Sequence, residues 1–176
     1  MTKKSLILLF AFFATVSNAQ NIAYVSQDSI LASIPSYKKN LTRLDSISKS
    51  YQTEIKESKE KLDSKLAGLL KTYNVKENED LKTIKARMTP ADTSSLGILI
   101  DEDKIIAKRA KSYDQNVSEK FNKDVQPILD RINKSIQDYA IKNKLDMVYI
   151  WEQIRPALAY LDPKKNITKA IIKTLK

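Results

Sequence analysis

Histidine and cysteine are both absent from this 176-residue chain. The first absence removes the commonest general base, the commonest zinc ligand and the ordinary pH switch together. The second means that an oxidising compartment has no thiols to cross-link. Two glycines and five prolines make turns rare and elements long. There is no glycine-rich phosphate loop and no nucleophile elbow. Asp101-Glu102-Asp103 is the densest acidic run, but consecutive helical residues point to different faces and cannot converge on one metal. The chain is therefore not expected to be an enzyme, and no cofactor or metal is expected. Aromatic residues make up 7%, too few for a thick core, so a slim helical body has to gain burial by pairing with itself or with other subunits.

What is present is a long amphipathic stretch. Between Ser36 and Tyr73 the apolar residues Tyr37, Leu41, Leu44, Tyr51, Ile55, Leu62, Leu66, Leu69 and Tyr73 fall at steps of three, four and seven. That spacing puts one narrow stripe on a helix. At 1.5 Å per residue the helix is roughly 55 Å long, so it reads as an arm. Ser48, Ser58 and Lys65 interrupt its seam, which makes an imperfect coiled coil. Asn74 is the first break. The charged stretch Val75–Met88 reads as a frayed helix at a far tip. Thr89-Pro90-Ala91-Asp92 then restarts a helix, with threonine as N-cap, proline at the first position and an acid at the third. Leu99, Ile106, Ala110, Tyr113, Val117, Phe121 and Val125 mark the return stripe, close to an eleven-residue period that favours a nearly straight pair. Pro127 either kinks this helix or starts a new one, because Ile128, Ile132, Ile136 and Ala140 continue the stripe.

The strands lie at the two ends. Asn21–Ser26 is rich in β-formers, and Asp28 or Ser29 caps a short helix that Pro35 ends. After Lys142-Asn143-Lys144, Leu145–Trp151 reads as a strand, Glu152–Pro156 as a turn and Ala157–Leu161 as a second strand. Thr168 caps a final short helix. The expected class is mostly α with a small β head and a long antiparallel helical hairpin inserted in it. The head comprises 20–35 and 126–176, and the arm 36–125 has its tip near 74–91. Three short strands do not make a stable sheet alone, which points to an oligomer. Ile22, Tyr24, Val148, Ile150, Leu158 and Tyr160 are expected to share one side of these strands, as head core and subunit interface. Trp151 reads as a packed head residue.

Residues 1–19 have the layout of a cleaved signal peptide: Lys3 and Lys4, an apolar run Ser5–Val16, and Ser17-Asn18-Ala19 before Gln20. The run is short for a membrane span, and no later stretch could span a bilayer. The mature chain is therefore expected to be exported. Removing Lys3 and Lys4 takes the formal charge from +10 to +8.

The opening Asn21-Ile-Ala-Tyr-Val-Ser26, the close Ala159-Tyr-Leu-Asp-Pro-Lys-Lys-Asn-Ile-Thr-Lys-Ala-Ile-Ile-Lys-Thr-Leu-Lys176 and the charged hairpin between them resemble the Skp/OmpH family of periplasmic chaperones. The resemblance implies a homotrimer whose heads form a β-barrel trimerisation body. Its hairpins would hang as tentacles around a cavity that holds unfolded outer-membrane proteins without ATP.

The charge admits several partners. Ser36–Tyr73 carries nine basic against five acidic residues, and Gln126–Lys176 ten against five. No dense basic block with interleaved aromatics occurs, so nucleic acid is not an expected partner. Acidic unfolded clients and anionic lipid or lipopolysaccharide surfaces are. Most of the apolar stripe is helix-pairing seam. Near the tip, Leu66, Leu69 and Leu70 face Leu96, Ile98, Leu99 and Ile100, runs too wide for a two-helix seam. With Lys82, Lys85 and Arg87 they form the expected client-binding surface. The alternative is a structural or adaptor coiled-coil protein of the envelope, binding one folded partner without chaperone activity.

Overall fold

The structure is a computed structural model that describes residues 20–76 and 78–176; the expected signal peptide lies outside the described residues. In chain order the elements are β1 (Ile22–Val25), α1 (Gln27–Ala32), α2 (Pro35–Lys71), α3 (Leu81–Ala86), α4 (Pro90–Asp124), α5 (Gln126–Lys142), β2 (Met147–Ile150), α6 (Trp151–Ile154) and α7 (Thr168–Thr174). Short 3-10 turns fall at Arg155–Ala157 and Pro163–Lys165. The chain is mostly helical and divides into two compact units, one joining the residues up to Pro35 with Ile128–Lys176, the other Ser36–Pro127.

In the first unit, β1 and β2 pair in parallel, Ile22 opposite Met147 and Val25 opposite Ile150. A parallel pair needs a long crossover, and the whole of α1–α5 supplies it. Residues in register share a face, and successive residues alternate. Ala23 and Val25 therefore lie with Val148 and Ile150, whereas Ile22 and Tyr24 lie with Met147 and Tyr149. This corrects the expectation that Ile22, Tyr24, Val148 and Ile150 share one side. Period-two spacing groups residues within each strand, but only the register joins two strands. Val25, Val148 and Ile150 line a cleft of about 270 Å³ with Ile136 and Ala140 of α5. On the other face Tyr24 is buried and its ring lies 5.8 Å from that of Trp151.

The third expected strand does not form. Trp151–Ile154 is helical, and Pro156 sits in the 3-10 turn. Leu158–Leu161 pairs with no strand among the described residues, and Leu158 and Tyr160 are 40% and 77% exposed. They are not core of this unit. The chain turns helically at Trp151 instead, and Glu152 meets the start of α1, a partner far away in the sequence. Its carboxylate accepts from the Ser26 hydroxyl at 2.7 Å and from the Gln27 and Asp28 N–H groups at 3.0 and 3.4 Å. Ser26, rather than Asp28 or Ser29, is the N-cap, its hydroxyl accepting from the Ser29 N–H. At the far end, Thr168 is the first residue of α7 rather than its cap. The Asn166 side chain accepts the Thr168 N–H, and the buried Thr168 hydroxyl accepts the Ser26 N–H at 2.8 Å.

In the second unit, α2 and α4 run antiparallel. Asn40 donates to the Asp124 carbonyl, Tyr51 stacks on Tyr113, Lys65 meets Glu102, and Tyr73 donates to Asp92. Partner numbers fall steadily as α2 advances. Thr89 caps α4 by accepting the Asp92 N–H, with Pro90 in the first turn. Pro127 lies in the first turn of a new helix, α5, after α4 ends at Asp124. Asn74 adopts a left-handed φ of 48°, a conformation asparagine tolerates better than most residues, and ends the turn after α2.

Candidate functional site

The tip is a folded knob, not a frayed end. Asp80 caps α3 through the Lys82 and Thr83 N–H groups. That returns Ile84 and Met88 to pack with Leu96, 2% exposed, into a small core. Leu66, Leu69, Leu70 and Ile100 pack partly buried against it, with Tyr73 and Val75. The surplus apolar residues that made the seam look too wide therefore have an intramolecular partner. Of the expected client surface, Ile98 is 67% exposed and Lys82 is exposed, while Leu99 and Lys85 are half-buried. Arg87 is held in an ion pair with Glu79. Its guanidinium, hydrogen-bonded to the carboxylate, holds the Glu79 pKa down to about 2, and the same bond raises that of Arg87. The Tyr73 hydroxyl, then that of Thr89, lower the pKa of Asp92. These bonds tie the end of α2 to the start of α4 across the knob. The signal in the sequence was Asp80-Leu-Lys-Thr-Ile, a cap followed by an apolar step of three.

Below the tip the hairpin is thinner. In the stretches 36–65 and 101–124 only Leu62 and Ile106 are buried. The Glu54 carboxylate accepts from Arg109 at 3.2 Å and from the Tyr113 hydroxyl at 2.8 Å, and the latter bond raises the Tyr113 pKa. The Tyr51 and Tyr113 rings stack with centroids 3.9 Å apart and planes 7° from parallel. Beside them lies an open groove of about 280 Å³. Sequence reasoning placed both tyrosines in the seam but missed the groove, which depends on where α2 and α4 lie opposite each other.

Charge divides along the hairpin. Residues 36–56 and 104–127, the open half, carry eleven basic and five acidic side chains; residues 57–103, the tip half, carry eight and ten. Lys38, Lys39, Arg43, Lys108, Lys111, Lys120 and Lys123 form no ion pair among the described residues. Asp101 pairs with Lys104 and Glu102 with Lys65, so this acidic run diverges as its spacing requires. Among the described residues no cluster of three or more acidic side chains could hold a metal, and no helix is long and apolar enough to cross a membrane.

A family described as outer membrane protein (OmpH-like) matches residues 21–175. The chain belongs to the OmpH-like family. This OmpH-like chain is also similar to a solved structure from Caulobacter crescentus, described there as a candidate OmpH-like outer membrane chaperone. The two share 16% identity over 89% of this chain and 83% of that one, with a TM-score of 0.43. No curated protein matches. The family match over residues 21–175 spans both units of the OmpH-like chain, so the paired strands and the hairpin between them both fall within the family.

Proposed function

We propose that this OmpH-like chain is an ATP-independent holdase of the periplasm, which binds unfolded outer-membrane proteins and prevents their aggregation. The observation that carries the reading is the thin lower hairpin. Two helices of 37 and 35 residues keep most of their surface in solvent, with Leu41 and Ile105 exposed among charged neighbours. Such a surface offers many weak contacts and no enclosed pocket, which suits a client that must be released without a nucleotide cycle. At the tip, Ile98, Lys82 and Lys85 remain available. Leu66, Leu69, Leu70, Leu96, Leu99 and Ile100 contribute whatever surface their packing leaves, and Arg87 contributes from its ion pair. The surplus of cations in the open half supports attraction of acidic clients and of an anionic lipid or lipopolysaccharide surface.

The active form in this reading is a homotrimer. A two-stranded sheet is marginal alone, and no strand among the described residues covers the outer edge of β2. Exposed Met147, Tyr149, Leu158 and Tyr160 provide apolar surface for a neighbour, with Ile22 and Tyr24 on the face of Met147 and Tyr149, and Val148 and Ile150 on the opposite face of the sheet.

The folded tip favours a second reading, an envelope adaptor that docks one folded partner through a defined knob. Sedimentation of the chain with several unrelated unfolded β-barrels, without nucleotide, separates the two. A holdase co-sediments with all of them and they compete with one another. Binding of none, alongside stoichiometric capture of one folded envelope protein, makes the adaptor the correct account.

A further inference from the structure

The short helix α3 covers an apolar surface wider than itself. Leu66, Leu69 and Leu70 of α2, with Leu96 and Ile100 of α4, form that surface. Over it, α3 and the turn that follows place two buried side chains, Ile84 and Met88. Of the hairpin residues beneath, Leu96 is buried and the others stay partly exposed. A helix of 6 residues falls well short of the about 12–15 that hold a helix in water. Its shape therefore depends on this packing and on Asp80, whose side chain caps the Lys82 and Thr83 N–H groups. Among the described residues, no hydrogen bond or ion pair joins residues 79–88 to α2 or α4. The Glu79–Arg87 pair closes this segment on itself. The frame beneath is latched separately: the Tyr73 hydroxyl donates to Asp92 and accepts the Thr89 N–H, a tie that does not pass through α3. Asn78, with a left-handed φ of 64°, and Thr89, extended before Pro90, bound the segment on its two sides.

We infer that residues 79–88 are a displaceable lid: Ile84 and Met88 hold, in the closed form, the places that apolar side chains of an unfolded polypeptide take when α3 lifts. The chain's own segment shows what the surface accepts. Ile84 and Met88 stand four residues apart, so the segment that replaces them carries two large apolar side chains about one helical turn apart. The closed lid keeps an apolar patch out of water while no client is bound. The inference rests on the holdase reading for the unfolded state of its ligand, and it deepens that reading by naming where the tip grips and what guards the grip.

The test uses the chain from Gln20 to Lys176 and a fluorescent peptide of its own residues 79–90, read by anisotropy. A second peptide carries Ile84→Ser and Met88→Ser. Two substitutions at exposed positions of the chain move the lid without touching the surface beneath it. Asp80→Ala removes the cap of α3 and should bind the first peptide about fivefold tighter than the parent, because the open fraction rises by the usual worth of a cap. Thr83→Ala strengthens α3 and should bind it about twofold weaker. The serine peptide should bind neither variant. A knob that is structural only loses stability in Asp80→Ala without gaining affinity. Unchanged or weaker binding by that variant overturns the inference, and so does a gain that the serine peptide shares. An outer-membrane β-barrel protein diluted from denaturant is then added as competitor, and suppression of its aggregation by the unaltered chain is measured alongside. Displacement of the peptide is the expected result. If suppression occurs without displacement, the lid assignment alone is wrong; if the gain in Asp80→Ala holds while suppression is absent, the holdase reading alone is wrong.

Discussion

The two halves of the hairpin differ in how they are held together. The tip has its own core of Ile84, Met88 and Leu96, two capped helix starts and a clasp between Glu79 and Arg87. The open half has isolated contacts along a seam: a tyrosine stack, a carboxylate shared by Arg109 and Tyr113, and one side-chain amide on a backbone carbonyl. The tip closes on itself and is nearly neutral. The open half stays basic and leaves a groove. One element therefore fixes the end of the hairpin, and the other offers surface. Length in a helical hairpin does not imply a uniform role along it.

The largest expected effect breaks the tip. Leu96→Ala removes a side chain that is 2% exposed and should cost about 2–5 kcal/mol of local stability. Hydrogen exchange should then lose protection across Leu81–Ala86, while amides around Tyr51 and Tyr113 keep theirs. Loss of protection along the whole hairpin would show that the two halves are one cooperative unit. Thr89→Ala removes the cap of α4 and should cost about 1 kcal/mol, again read as exchange at the tip.

Acid sharpens the same contrast. The Glu79 carboxyl is held at about 2 against an ordinary 4.5. A depressed acid contributes stability that is present above its unfolded pKa and is lost as pH falls through the folded one. Tip resonances should therefore hold steady down to pH about 4.5 and loosen between there and about 2; Glu79→Gln should shrink that step and leave the part that belongs to Asp92, whose pKa Tyr73 and Thr89 also lower. In alkali the open half responds instead. Tyr113 is raised by its bond to Glu54, so its contribution is complete below 10.0, its ordinary value, and is lost as pH rises through its shifted one. Absorbance titration at the tyrosinate band should show one late ioniser, and Glu54→Gln should return it to the ordinary range.

The smallest effect lies outside the hairpin. Lys144 has a φ of 53° just past α5, and the Leu145 N–H reaches back to the Ala140 carbonyl. This is a helix stop where glycine is the usual residue. Lys144→Gly should stabilise the small unit by about 0.5–1 kcal/mol, read as a rise in the unfolding midpoint with no change at the tip.

Sequence and structure agree where the determinants are local. The stripe of α2, the Thr89-Pro90 start of α4, the break at Asn74 and the restart at Pro127 each rest on residues within a turn or two. They diverge where a partner is remote. Ser26 caps α1 together with Glu152, which lies 126 residues away in the chain, and no local cue ranks it above Asp28. Which face Ile22 and Val148 occupy depends on a parallel register across the whole hairpin. The apolar surplus at the tip was visible, but its partners, Ile84 and Met88, arrive only after α3 folds back. The groove was invisible for the same reason. Ala110 and Ser48 look like weak seam positions until the tyrosine pair beside them is placed.

The most direct measurement is light scattering from an unfolded outer-membrane β-barrel protein diluted out of denaturant, with and without the chain and without ATP. Suppression of aggregation for several such clients, weakening as salt rises, is the result this account predicts. No suppression for any of them would contradict it.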